Sequence, residues 1–119
     1  MTPAADVGGL AAWAAGLATD ELFSRETWSA CATVGLTSLP VDKNWGGRSA
    51  TLTTTAELFE SFARHGAPPA LVFALGAQLW SVTMVLARFG TPEQHARWLP
   101  SLCAGDATAA HGMTEPDTG

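Results

Sequence analysis

From Thr51 to His65 the apolar positions return every three or four residues. Leu58, Phe59 and Phe62 form a stripe with Thr55, while Glu57, Glu60 and Arg64 fall on the other side. That spacing predicts an amphipathic helix. Glu60 precedes Arg64 by one turn, the favourable acid-first order, worth roughly 0.3 kcal/mol. Gly66 stops this helix and Pro68-Pro69 opens the next segment. From Pro69 to Phe89 the pattern changes, because no polar face remains. A helix that is apolar nearly all round has to be enclosed by neighbours, so this one is expected to be central and buried. It is also the best membrane-span candidate by length. Gln78, Ser81, Thr83 and the missing positive flanks favour a buried helix and no membrane span. Trp80, Met84 and Ala87 share a face by the four-and-three spacing and read as core.

The remaining segments follow the same 3.6 period. Thr2-Pro3 can start a helix, with Ala4 to Leu17 Ala-rich but weakened at Gly8 and Gly9 by about 1 kcal/mol each. Ser24 is the expected N-cap of a helix over Arg25 to Val34, ended by Gly35. Trp28, Cys31 and Ala32 share one of its faces. Leu36 to Gly47 holds Pro, Asp, Asn and a Gly pair and reads as a loop. Thr91-Pro92-Glu93-Gln94 has the form of a capping box, and Pro100 is expected to limit the helix that follows. Ala107 to Met113 is short, small and apolar, and is expected to enter a strand. No internal repeat or low-complexity linker interrupts this pattern, so the fold class is all-α, a helical bundle.

Composition sharpens the picture. The chain has 119 residues, one domain's worth, with 47% apolar and 14% charged residues. So apolar a chain is expected to expose an interface and to be oligomeric. The net charge of -5 argues against a nucleic-acid partner, which needs a basic face. Two cysteines, Cys31 and Cys103, are too few for a disulfide framework and read as free buried thiols of a cytoplasmic protein. His65, His95 and His111 are scattered and build no metal-ligand spacing. No basic region precedes the first apolar stretch, which argues against a signal peptide.

One ordered set of motifs is more specific than any of these. Trp28 and Gly35-Leu36 are followed by the loop Pro40 to Gly47. Then come Phe89-Gly90, the Thr91-Pro92-Glu93-Gln94 helix with Leu99-Pro100, Gly105, and finally Gly112-Met113-Thr114-Glu115-Pro116-Asp117-Thr118-Gly119. From about Phe23 to Gly119 this order resembles the acyl-CoA dehydrogenase family. The resemblance implies an N-terminal α-helical domain over 1–106. Residues 107–119 would form a short extended tail that starts a truncated middle β-domain. It also implies FAD as cofactor and α,β-dehydrogenation of an acyl thioester, carried on coenzyme A or on an acyl carrier protein. In the family a carboxylate removes the α-proton and the flavin takes the β-hydride. Electrons would pass to an electron-transfer flavoprotein or to oxygen. The alternative is a non-catalytic helical assembly subunit, or a split half, that docks a flavin-bearing partner.

Carried over position by position, the resemblance puts flavin contacts on His111, Met113, Thr114 and Gly119. His111 stands where the family has an aromatic residue. The family's catalytic carboxylate lies in a further helical domain, so no catalytic residue is assigned here, Glu115 included. The tail also reads as ordinary turn chemistry, since Glu-Pro-Asp-Thr-Gly favours turns. Gln78 and Ser81 are the candidate substrate contacts on the long helix. They can equally satisfy nearby backbone inside a bundle. In the loop, Trp45 fits the family's aromatic position before Gly46-Gly47, but Ser49 replaces a glycine. Positive φ is costlier for Ser, so the loop is expected to take a different path.

Overall fold

The computed structural model describes residues 6–118, so Thr2-Pro3 and Gly119 lie outside the described residues. Six α-helices follow in order: α1 (Val7–Ala15), α2 (Arg25–Thr33), α3 (Leu52–Arg64), α4 (Pro69–Gln78), α5 (Met84–Phe89) and α6 (Pro92–Ala104). A 3-10 turn (Lys43–Trp45) interrupts the loop after α2, and a π-helical turn (Leu79–Thr83) joins α4 to α5. The bundle is therefore all-α among the described residues.

Local chemistry sets most helix ends. Ser24 accepts the Thr27 N–H at 3.2 Å, as a short hydroxyl in an extended N-cap should. Arg48 reaches the other end of α2 and donates to Thr33 O at 2.7 Å, a cation on the carbonyl end of the helix dipole. Thr91 and Gln94 complete the capping box of α6 in both directions. That helix does not stop at Pro100 but runs through it to Ala104. Proline removes the bond to the Ala96 carbonyl, and both residues are exposed, so the loss falls on the outer face. The helix ends instead at Gly105, whose φ of 79° is left-handed.

Two apolar clusters hold the elements together. The larger joins Leu10, Ala11 and Ala14 of α1 to Trp28 and Cys31 of α2, Phe62 of α3 and Leu71 and Leu75 of α4. The smaller joins Val41 to Leu99 and Cys103 of α6, with Trp45, Met84, Leu86 and Ala87 against it. Buried polar contacts then fix α6. Thr37 donates to Cys103 O at 2.7 Å, and His95 donates through Nε2 to Leu86 O at 2.8 Å while its ring sits edge-on to Trp45. Gly105 meets α2 so closely that a Cβ there would lie 2.8 Å from the Ala32 Cβ.

Three expectations change. Ser49 adopts the positive φ of 51° that a glycine would take. Its hydroxyl accepts the Lys43 N–H at 2.9 Å and its amide donates to Val41 O at 2.8 Å, which offsets the strain. Ala107 to Met113 forms no strand, because the described chain offers it no partner; the single bridge among the described residues is Glu115 with Thr118. The long apolar helix is not enclosed. By length and composition it could cross a bilayer, yet its first half packs on α3 and its last on α6, and only 28% of its most apolar stretch is buried. Phe73, Trp80, Val85 and Phe89 remain exposed. Trp80 leaves the face it was expected to share with Met84 and Ala87, because the π turn between them adds a residue to the helical period.

Burial pushes the Cys31 thiol up to about 12 and the Cys103 thiol to about 11, from an ordinary 9.0. Between these values the unfolded chain ionises first, so the folded state binds more protons and loses stability as pH rises above 9. Stability is expected to be flat in these thiols below pH 9 and to fall above it, by at most about 1.4 kcal/mol per pH unit per thiol. Denaturant melts of the wild type and a Cys31→Ala/Cys103→Ala variant across that range check it. A thiol reagent should label neither cysteine at neutral pH until the chain unfolds. Gly105→Ala should destabilise by about 1–3 kcal/mol, since it adds left-handed strain and a close contact with α2; a thermal melt measures it.

Candidate functional site

The π turn is where the long helix becomes chemically distinctive. The Met84 N–H donates to the Leu79 carbonyl, five residues back, so the segment is wound one residue wider than an α-helix. Such turns inside α-helices are frequent at functional sites. Here the widened turn carries Ser81 outward and Thr83 inward. Thr83 is fully buried and its hydroxyl has no partner among the described residues.

The extended tail crosses this turn. Buried Gln78 accepts the Ala109 N–H on its side-chain oxygen at 2.9 Å, a contact between residues 31 apart in sequence. That bond brings the next residues of the tail over the π turn. A cleft of about 290 Å³ opens between them, lined by Ser81, Val82, Val85, Leu86, Ala110 and His111. It is apolar with two polar side chains, which is the usual make-up of a small-molecule wall.

The candidate residues are thus partly gathered. Ser81 and His111, 30 positions apart in sequence, line the same cleft. Gln78 stands behind it, with its carbonyl oxygen engaged in holding the tail. Met113 and Thr114 lie further along the tail and are exposed, while Gly119 is outside the described residues. Among the described residues, none of the backbone N–H groups from Ala110 to Thr114 has an acceptor within the chain. Sequence reasoning missed Val82, Val85, Leu86 and Ala110. The polar positions 78, 81 and 83 within an otherwise apolar run were the one sequence signal that this stretch is chemically distinct. Glu115 is exposed and sits in the terminal turn, paired through its backbone with Thr118 at 2.8 Å. No group of three metal-ligating side chains occurs among the described residues.

Residues 9–106 match the family model described as acyl-CoA dehydrogenase, N-terminal domain. The chain is 33% identical over 101 residues to the L-prolyl-[peptidyl-carrier protein] dehydrogenase of Serratia sp. (strain ATCC 39006), covering 85% of this chain and 26% of that protein. It is 31% identical to acyl-CoA dehydrogenase FadE12 of Mycobacterium tuberculosis (strain ATCC 25618 / H37Rv), covering 81% and 24%. The structure of the prolyl acyl carrier protein oxidase AnaB superposes with a TM-score of 0.80 at 30% identity, over 95% of this chain and 32% of that one. Apo-form PigA does so with a TM-score of 0.77 at 29% identity, over 94% and 32%. The chain spans about a quarter to a third of the length of these relatives. With the sequence match and the fold in agreement, the chain belongs to the acyl-CoA dehydrogenase family and corresponds to its N-terminal helical domain.

Proposed function

We propose that this chain forms one wall of the acyl-thioester site, and the first flavin contacts, of an FAD-dependent dehydrogenase that performs α,β-dehydrogenation. The observation that carries this reading is the cleft between the π turn and the tail. There an apolar wall with one hydroxyl, Ser81, faces a tail whose backbone donors find no acceptor among the described residues, anchored by Gln78.

The residues present fit a flavin. Its ring edge needs backbone N–H groups and a hydroxyl, and the tail offers successive N–H groups with no acceptor among the described residues, with an exposed Thr114 beside them. His111, Met113 and Thr114 would hold it, with Gly119 at the end of the same segment. When bound, the flavin supplies a two-electron acceptor. This chain's own residues bind and orient. Ser81 offers a hydroxyl at the cleft, Val82, Val85 and Leu86 give it an apolar wall, and Gln78 keeps the tail in place. No carboxylate among the described residues lines the cleft, so the proton-abstracting group comes from elsewhere in the protein.

The carrier reading favoured is a carrier protein over coenzyme A, because two relatives at 33% and 29% identity are named L-prolyl-[peptidyl-carrier protein] dehydrogenases. Oxygen or an electron-transfer flavoprotein accepts the electrons. The same reading places the protein in the cytoplasm as a homo- or hetero-oligomer, supported by its unpaired buried thiols and its uncovered apolar stripe. That stripe of Phe73, Trp80, Val85 and Phe89 also supports a second reading, a helical assembly subunit that docks a flavin-bearing partner. Intact mass and visible spectrum of the purified protein separate the two. Flavin bands on a single longer polypeptide favour the first, and flavin bands on a second polypeptide favour the other.

In the full-length protein, an acyl-loaded carrier protein, first the prolyl thioester, should bleach the flavin under anaerobic conditions. Bleaching by no acyl thioester, on a carrier or on coenzyme A, would sink the dehydrogenase reading. Gln78→Leu removes the acceptor of the Ala109 N–H and should weaken flavin retention about tenfold, equivalent to about 1.4 kcal/mol. Equilibrium dialysis against FAD checks it. Ser81→Phe fills the cleft and should lower kcat/KM for the acyl thioester by about tenfold or more with the fold intact by circular dichroism.

A further inference from the structure

The six cations of this chain divide into two sets. Three are engaged internally: Arg25 donates to Asp106 O, Arg48 to the end of α2, and Arg64 pairs with Glu60. The head groups of Lys43, Arg88 and Arg97 have neither a hydrogen bond nor an ion pair among the described residues. These three sit on the 3-10 turn, on α5 and on α6, and α6 packs against both of the others. This group of elements carries three cations against two acids, Asp42 and Glu93, whereas the rest of the chain carries three cations against nine acids. Asp42 is itself engaged, accepting the Asn44 N–H at 2.7 Å. Within a chain of net charge -5, these packed elements thus carry +1 against -6 for the remainder.

The face is also shaped. A second cleft, of about 330 Å³, opens between the 3-10 turn and α5. Val41, Trp45, Met84 and Ala87 give it an apolar floor, and the exposed side chains of Asp42 and Arg88 stand at its rim. On α6 the Arg97 guanidinium lies 4.6 Å over the ring of Trp98, which is 46% exposed. Exposed Trp and Arg beside an apolar hollow are the residue types that dominate interface energetics. The same short helix serves both clefts: Met84 and Ala87 face this one, Val85 and Leu86 the acyl-thioester wall.

We propose that the surface made by the 3-10 turn, α5 and α6 docks the carrier protein that presents the acyl thioester. This inference rests on the carrier-bound dehydrogenase reading. A carrier protein holds its acyl group on a phosphodiester-linked arm, so the base of the arm is anionic. A cation-richer surface on an otherwise negative chain orients such a partner during approach. Docking on α5 sets the arm beside the cleft that α5 helps to wall.

The test uses the full-length protein and an unloaded holo peptidyl carrier protein, so that binding is read without turnover. Lys43→Glu and Arg88→Glu, together, should weaken binding at least about tenfold, and wild-type binding should weaken from about 50 to about 200 mM salt. Both residues are exposed and should leave the melting temperature unchanged. Undiminished binding by the double variant, salt-independent binding, or no binding by the wild type overturns the proposal. A small acyl thioester of N-acetylcysteamine, which needs no carrier, separates this failure from that of the underlying reading. If it bleaches the flavin while charge reversal leaves carrier binding untouched, dehydrogenation stands and the docking face falls. If the carrier binds through the face and no thioester bleaches the flavin, the docking face stands and dehydrogenation falls.

Discussion

The apolar run from Pro69 to Phe89 has one side packed and one side open, and the rest of the structure is arranged around that imbalance. Leu71 and Leu75 anchor it in the cluster with Phe62, Trp28 and Leu10. Met84, Leu86 and Ala87 anchor its other end against Val41, Leu99 and Cys103. An uninterrupted α-helix repeats every 3.6 residues, so a single face drifts only slowly along 21 residues. The π turn between the anchors inserts one residue and re-aims the side chains beyond it. It is the reason one helix can serve two separate clusters and still leave Phe73, Trp80, Val85 and Phe89 uncovered.

That same irregularity creates the site. A regular helix would set Gln78 and Ser81, three residues apart, on one side and Thr83 away from them. The widened turn separates their tasks. Gln78 turns into the protein and holds the tail, Ser81 faces the cleft, and Thr83 is buried with no partner for its hydroxyl among the described residues. A buried amide side chain that satisfies a distant backbone group is costly to disturb, because removing one partner strands the other. The tail is otherwise exposed and makes few contacts of its own, so this single bond has unusual weight in positioning it.

Charge is organised as unevenly as apolar surface. The internally engaged arginines sit near helix ends and chain crossings, where they complete carbonyls that the helices leave open. The unengaged cations gather on the elements packed around α6. The fold therefore presents an apolar stripe, a mixed cleft beneath the tail, and a group of elements richer in cations around an aromatic hollow.

Much of the fold was legible in the sequence because helix ends are written locally. A cap is a contact over three residues, so Ser24 and the Thr91–Gln94 box could be read directly. The order of those signals sufficed for the family resemblance. Pro100 misled because its effect depends on which side of α6 faces out, and that is decided by packing. Ser49 misled because its strain is offset by hydrogen bonds to Lys43 and Val41, which form only once the loop closes. The cleft was half legible: Ser81 and His111 stood out singly, but nothing in their spacing joins them. The sequence alone determined where helices begin, which stretch is too apolar to stand free, and what chemistry the tail can offer. Only the tertiary structure decided that the stretch is covered on one side and that its turn is widened. It also decided that the tail lies over that turn, because a bond between residues 31 apart depends on how the whole chain closes.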